Sequence, residues 1–291
     1  MPNRVIARLA TVLTLLLFAC SHPSAEPRAQ PRAGADTRID ESLRASLSGP
    51  ARTEQERARD AYRHPHETLA FFGLRDDMPV VELWAPEGYY TSILAPVLHD
   101  RGQLTATLLD PEGDYPAVLP QSKALQGASS RRFIERLDKI PDVFGKVTRV
   151  VMKPPAFAFS SDGSADLVLT FRNVHNWIPE GYEDAAFAAA FRVLKGGGVL
   201  GVVDHRGKPG MTPKQIEDTG YVPEDVVIAL ATKAGFRLDA RSEINANPKD
   251  RTEHPDGVWT LPPFYALKDK DRDKYAAIGE SDRMTLRFVK P

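Results

Sequence analysis

Cysteine is nearly absent. Cys20 is the only one in 291 residues, so no intramolecular disulfide can brace the fold. An excess of charge is missing too: 38 basic against 39 acidic residues give a net charge of −1. That removes the global electrostatic case for nucleic acid or an anionic membrane as a partner. The apolar run at the start, Leu9 to Phe18, is too short for a comfortable transmembrane span. Glycine is scarce where a nucleotide-binding turn would want it. Residues 82–91, Glu-Leu-Trp-Ala-Pro-Glu-Gly-Tyr-Tyr-Thr, hold only Gly88, which argues against the Gly-x-Gly-x-x-Gly fingerprint of a nicotinamide oxidoreductase.

What is present divides the chain into three parts. Arg4 and Arg8, the apolar core and a small residue before Cys20 read as an export signal over residues 1–19. A lone cysteine at the end of such a core resembles a bacterial lipoprotein processing site, with the thiol taking a diacylglyceryl group. The plain alternative is a cleaved signal with an incidental cysteine. Removal of residues 1–19 takes away two arginines and no acids, leaving 36 basic against 39 acidic residues, or −3. Residues 20–53 are rich in Pro, Ala, Arg and Ser, and read as a flexible tether on a lipid anchor at Cys20. A single folded domain is expected over 54–291, exported to the periplasm or cell envelope.

Within that domain the pattern from Glu54 to Phe72 is helical, and Pro65 divides it into two short helices at Arg63-His64-Pro65. Strands are expected at Val80–Leu83, Gln103–Leu109, Val147–Met152, Asp166–Phe171 and Val199–Val203, alternating with helices at Thr91–Leu98, within 113–139, at Tyr182–Leu194 and at Glu224–Ala234. Such alternation gives a parallel sheet covered on both faces. Phe236–Ile244 and Met284–Val289 follow with no strong helix between them, so they should pair antiparallel. Lys195-Gly196-Gly197-Gly198 is a helix stop; it precedes a strand, the reverse of the polarity a phosphate cradle needs. His64 and His66 are spaced to share a metal, but Pro65 lies between them and no third ligand is evident, so no metal site is assigned.

Five parallel strands and an antiparallel C-terminal pair are the layout of class I S-adenosylmethionine-dependent methyltransferases, a Rossmann-like α/β fold with a mostly parallel seven-stranded sheet. Val80-Val81-Glu82-Leu83-Trp84, Gly88 to Pro96, Leu169 to Trp177, Val203-Asp204-His205-Arg206 and Ser281-Asp282-Arg283 resemble an exported bacterial family of predicted methyltransferases over nearly all of residues 55–291. The resemblance implies S-adenosylmethionine as cofactor and methyl transfer to a small molecule or an envelope component. Glu82, Gly88 and Tyr90 would shape the cofactor turn. Asp110, 22 residues beyond Gly88, would accept hydrogen bonds from the ribose. Asn173 and His175 would border the reacting methyl, with Asp204 and His205 as further catalytic candidates.

Each has a structural alternative. Asp110 is also placed to start the Asp110-Pro111-Glu112-Gly113 turn, Glu82 can be a satisfied buried acid, and Trp177 a core aromatic. The turn departs from the methyltransferase pattern, with Trp84, Pro86 and Glu87 where glycines are usual. Were Glu87 aimed at the cofactor carboxylate from about 6 Å, repulsion would cost roughly 3 kcal/mol at an effective dielectric near 20. The second function in play is therefore a catalytically silent binding protein that kept the fold.

Overall fold

The computed structural model describes residues 33–85, 87–113, 120–154 and 156–291. The expected signal, Cys20, the first part of the expected tether and Pro86 lie outside the described residues. Among the described residues eight strands form: β1 Pro79–Leu83, β2 Gln103–Leu109, β3 Thr148–Met152, β4 Ala165–Phe171, β5 Leu194–Gly207, β6 Val222–Pro223, β7 Arg237–Ser242 and β8 Arg283–Val289. Seven of them run in the order β3-β2-β1-β4-β5-β8-β7, while the two-residue β6 pairs off this path with β5.

Neighbours from β3 to β5 are parallel, in registers such as Val80↔Leu104 and Val81↔Val168. β8 enters antiparallel between β5 and β7, with Val202↔Leu286 and Leu238↔Phe288 opposed. Side chains alternate faces along each strand. Val80, Leu167 and Leu169 pack on one side under the helices Pro65–Phe72 and Thr91–Leu98. Val81, Val168 and Val202 pack on the other under the helices Glu183–Val193 and Glu224–Lys233. Two buried faces explain why these strands read as continuous apolar runs.

The expected tether is corrected for residues 33–53. Ala33–Ser48 is a helix of 16 residues seated on the sheet's helical layer. Leu43 is buried, Ser46 Oγ donates to Ile93 O at 2.8 Å, and Arg38 pairs with Asp76 at 2.7 Å. Ile39, Leu43 and Leu47 recur at i, i+4, i+8, a narrow helical stripe hidden among Ala, Arg and Ser. Past it, Thr53 and Glu56 form a capping box that starts the helix Glu54–Ala58. Asp60–Arg63 and Pro65–Phe72 follow, so the expected break at His64 is present and a second one occurs at Arg59.

The Lys195–Gly198 segment is also revised. The helix ends at Val193, but the glycines belong to an extended strand that bulges against β4 between Ala165 and Leu167. Gly197 N–H donates to Lys290 O at 2.8 Å and Lys290 N–H to Gly198 O at 2.9 Å, so the C-terminus holds them in the sheet. Residues 245–280, for which no role was legible, include a 3-10 turn at Gly257–Thr260 and a helix at Arg272–Ile278.

Candidate functional site

A cavity of about 930 Å³ opens beyond the carboxyl ends of β1, β4 and β5, the place where open α/β sheets receive ligands. One wall is the turn after β1, with Trp84, Ala85 and Glu87; opposite stand Arg172, Asn173 and His175. Arg59 and Arg63 come from the N-terminal helices. Val258, Trp259 and Phe264 close the side that the sequence left blank.

The turn is held rather than loose. Trp84 (φ 48°), Glu87 (φ 59°) and Gly88 (φ 77°) all lie in the left-handed region, which costs a side-chain-bearing residue roughly 1–2 kcal/mol. Several hydrogen bonds offset that strain. Trp84 N–H donates to Thr107 Oγ1 at 2.7 Å and Ala85 N–H to Thr107 O at 2.9 Å. Asn173 Nδ2 reaches Leu83 O at 2.9 Å, Thr170 Oγ1 at 3.0 Å and Trp84 O at 3.3 Å. Asn173 thus lines the cavity as the clamp that fixes β1 to β4. Gly88 meets the φ that favours glycine, and an added Cβ would also sit a tight 3.1 Å from the Phe133 ring.

Glu82, Gly88, Tyr90 and Asp110 are not among the cavity-lining residues. Glu82 is buried and accepts from Thr91 Oγ1 at 2.6 Å, tying the strand to the following helix. Burial pushes its carboxyl up to about 7, against the opposing pull of Thr91 and Arg136. Tyr90 stacks on Phe171 with centroids 3.4 Å apart and 9° between planes, and burial pushes its phenol up to about 12. Both stand behind the wall and stiffen it. Asp110 Oδ1 accepts from Glu112 N–H at 3.0 Å, the bond that makes the turn beyond β2. Trp177 is buried beside Trp84, with centroids 6.4 Å apart, as a core aromatic.

The three catalytic candidates do meet. Asp204 is fully buried; its Oδ2 accepts from Val174 N–H at 2.7 Å and His175 N–H at 3.3 Å, and its Oδ1 accepts from His205 N–H at 2.8 Å. His175 Nδ1 faces the same Oδ1 at 2.8 Å. A carboxylate oxygen that accepts from an amide assigns the proton to Nδ1, leaving Nε2 as the basic nitrogen of His175. The His205 ring lies 5.0 Å from that of His175, and its Nδ1 is 2.5 Å from Ser281 Oγ. Burial first, then the neighbouring His175 ring and the guanidinium charges of Arg283, Arg172 and Arg63, hold His205 well below the ordinary histidine range, so it is neutral.

Ligand atoms of His175, Asp204 and His205 lie within 4.8 Å of one another, a spacing that a divalent ion can bridge. Here both Asp204 oxygens already accept backbone N–H groups and His175 Nδ1 is spent on one of them, so the set reads as an oriented dyad. His66 pairs with Asp40 at 2.7 Å, which takes it out of any pairing with His64.

Sequence reading missed the arginine group. Glu280 Oε1 accepts from Arg59 Nε at 2.5 Å, its Oε2 accepts from Arg63 Nε at 3.1 Å, and Arg283 Nη2 also donates to Oε2. Arg63 stood out only as part of a helix break, and Arg172 and Arg283 only as members of the blocks that carry the resemblance. No short motif joins residues 59, 63, 172, 280 and 283; the sheet does. Arg172 carries one local sign, a left-handed φ of 61° on a residue that is not glycine.

The cofactor expectation fits the β1 side of the cavity. Ser129 Oγ is buried without a hydrogen-bond partner among the described residues and lines that side. Glu87, the residue that threatened repulsion, sends its carboxylate outward to Arg132 at 2.5 Å, with 59% of the side chain exposed. Leu108, two residues before Asp110, supplies an apolar floor.

No protein-family model matches this sequence, and no curated protein matches it. Solved structures do. An S-adenosylmethionine-dependent methyltransferase from Aquifex aeolicus aligns over 87% of this chain and 98% of its own, at 14% identity and a TM-score of 0.50. The geranyl diphosphate C-methyltransferase of Streptomyces coelicolor, in complex with Mg2+, geranyl diphosphate and S-adenosyl-L-homocysteine, aligns over 85% of this chain and 88% of its own, at 12% identity and 0.53. The [4+2]-cyclase SpnF aligns over 89% and 96%, at 16% identity and 0.52. Strand order, the antiparallel β8 and these alignments agree: the chain has the class I methyltransferase fold.

Proposed function

We infer that the protein is an S-adenosylmethionine-dependent methyltransferase acting on a small molecule whose nucleophile carries a proton. The observation behind this reading is the Asp204–His175 dyad, which borders a cavity at the ligand end of a class I methyltransferase sheet. S-Adenosylmethionine, when bound, supplies an already activated methyl on a sulfonium. The chain's share is to seat it, orient the acceptor and take up the acceptor's proton. Ala85 and the backbone of Glu87, with Ser129 Oγ, would hold the cofactor, and Asn173 keeps that turn fixed. His175 Nε2 accepts the proton. Asp204 holds the ring in the required tautomer, and neutral His205 borders the same space without adding charge.

Isothermal titration of the purified protein with S-adenosylmethionine and S-adenosylhomocysteine tests the reading. Saturable binding of both is expected, and no binding of either at millimolar concentration removes it. A second reading rests on Trp84 and Glu87, whose side chains stand where glycines would let a backbone approach a ligand closely. It is a binding protein of the envelope that performs no transfer. The fold leaves that option open, since a structure described as a [4+2]-cyclase shares it. Cofactor retained through purification would undercut the second reading, and methyl transfer to an envelope extract would exclude it. Delivery to the envelope through residues 1–19 and a lipid on Cys20 belongs to the same proposal; the intact mass of the mature N-terminus tests it.

A further inference from the structure

Four guanidinium groups, those of Arg59, Arg63, Arg172 and Arg283, gather on one side of the cavity around a single carboxylate, Glu280. Arg63, Arg283 and Glu280 are each only 3% exposed, so bulk water does little to dilute this excess of positive charge. Other acids at the rim have cations of their own, Glu56 with Arg136, Glu87 with Arg132, and Glu217 and Asp218 with a shared Lys214. Arg59 Nη2, Arg63 Nη2 and Arg283 Nε are buried donors without a hydrogen-bond partner among the described residues. Arg172 lines the cavity and makes no side-chain hydrogen bond or ion pair among the described residues. Its backbone is held in the left-handed region, with its N–H donating to Val203 O at 2.7 Å.

Such an arrangement is costly unless something negative enters. Buried cations are paired in folded proteins, and unused buried donors are rare. A planar guanidinium is also the donor that best matches a phosphate or carboxylate. We propose that Arg172, together with Arg59, Arg63 and Arg283, forms a binding site for an oxyanion, a phosphate or carboxylate group on a ligand of this cavity. The physical state of the cluster agrees. Burial, then repulsion from Arg63, Arg59 and Arg283, pulls the Arg172 guanidinium well below its ordinary value. Burial alone would raise Glu280, yet Arg283, Arg63 and Arg59 hold its carboxyl well below the ordinary range, so it stays charged and still leaves the arginines in excess.

The site adds a substrate class to the methyl-transfer reading, on which only its assignment to the acceptor rests: a small molecule with an anionic group, anchored at the arginines while its nucleophile faces His175. The same chemistry has a second source, the carboxylate of the cofactor's methionine part. Titration of inorganic pyrophosphate into the purified protein tests the site. Saturable, salt-sensitive binding is expected, weakened by about tenfold or more in Arg172→Gln. Arg59→Gln, at a partly exposed position, should weaken it as well, and thermal unfolding of both variants checks that they fold. No saturable binding at millimolar pyrophosphate, or equal binding by folded wild type and Arg172→Gln, overturns the proposal.

S-Adenosylhomocysteine titrated into the same proteins separates the sources. Unchanged affinity in Arg172→Gln assigns the oxyanion to the acceptor. Parallel loss, with pyrophosphate displacing the cofactor product, assigns it to the cofactor carboxylate. Pyrophosphate binding without any cofactor binding keeps the arginine site and removes the methyltransferase reading.

Discussion

Glu82→Gln isolates the energetics of the wall behind the site. Glu82 is 3% exposed, and its carboxyl is pushed from 4.5 to about 7, chiefly by burial. Its folded-state pKa is therefore raised above its unfolded value. Between those two values the native chain binds more protons than the unfolded one, so stability is fully present below pH 4.5 and is lost as pH rises through 7. The full shift corresponds to about 3 kcal/mol, of which about 2.5 kcal/mol is lost between pH 5 and pH 8. Glutamine keeps an oxygen to accept from Thr91 Oγ1 and removes the titration. In urea unfolding at pH 5 and pH 8, the wild type should lose this increment relative to the variant, and Glu82→Gln should be the more stable of the two at pH 8. Stability differences between the two proteins that are the same at both pH values would show that Glu82 titrates normally, and the account of its burial would be wrong.

Other substitutions separate the remaining parts. Asp204→Asn should lower the turnover of a protonated acceptor by about 10²–10⁴-fold, because it lets the wrong nitrogen of His175 carry the proton; cofactor-product affinity measured by titration should hold. Glu87→Gln removes one partner of an exposed pair, so stability should change by less than about 1 kcal/mol, and a large gain in cofactor affinity would mean that the carboxylate faces the seat after all. Leu43→Ala should cost about 2–5 kcal/mol in denaturant unfolding, whereas an unchanged midpoint would return residues 33–53 to the status of a tether.

The sheet was legible because strands buried on both faces leave unbroken apolar runs, and Val80–Leu83, Gln103–Leu109 and Asp166–Phe171 lie within one residue of where they form. The antiparallel end of the sheet was legible for the converse reason: the sequence between β7 and β8 shows no strong helical pattern, and only a 3-10 turn and the short helix Arg272–Ile278 form there. The helix Ala33–Ser48 escaped because its apolar stripe is a single row, which composition averages away. Within the site, Asp204, His175 and His205 were singled out because they follow strand ends, where ligands gather in this architecture, and the structure brings their side chains together. Glu82, Tyr90 and Asp110 were correctly placed in sequence but face the wall or their own turn, and side-chain direction at a turn is not encoded by spacing alone. The arginine group was invisible locally, since its members come from the first helices, β4 and the start of β8.

β8 lies inside the sheet, between β5 and β7, and Glu280 just before it is bonded to Arg59 across 221 residues of chain. The insertion of β8 then sets when the site exists. β1 to β5 can associate before β8 is in place, but β7 has no neighbour in the sheet until β8 is inserted. During that interval Arg59, Arg63 and Arg172 lack Glu280, and β5 offers an open edge. Completion of the sheet and partial compensation of the arginine group are thus one event, delivered by β8 and the Glu280 that precedes it.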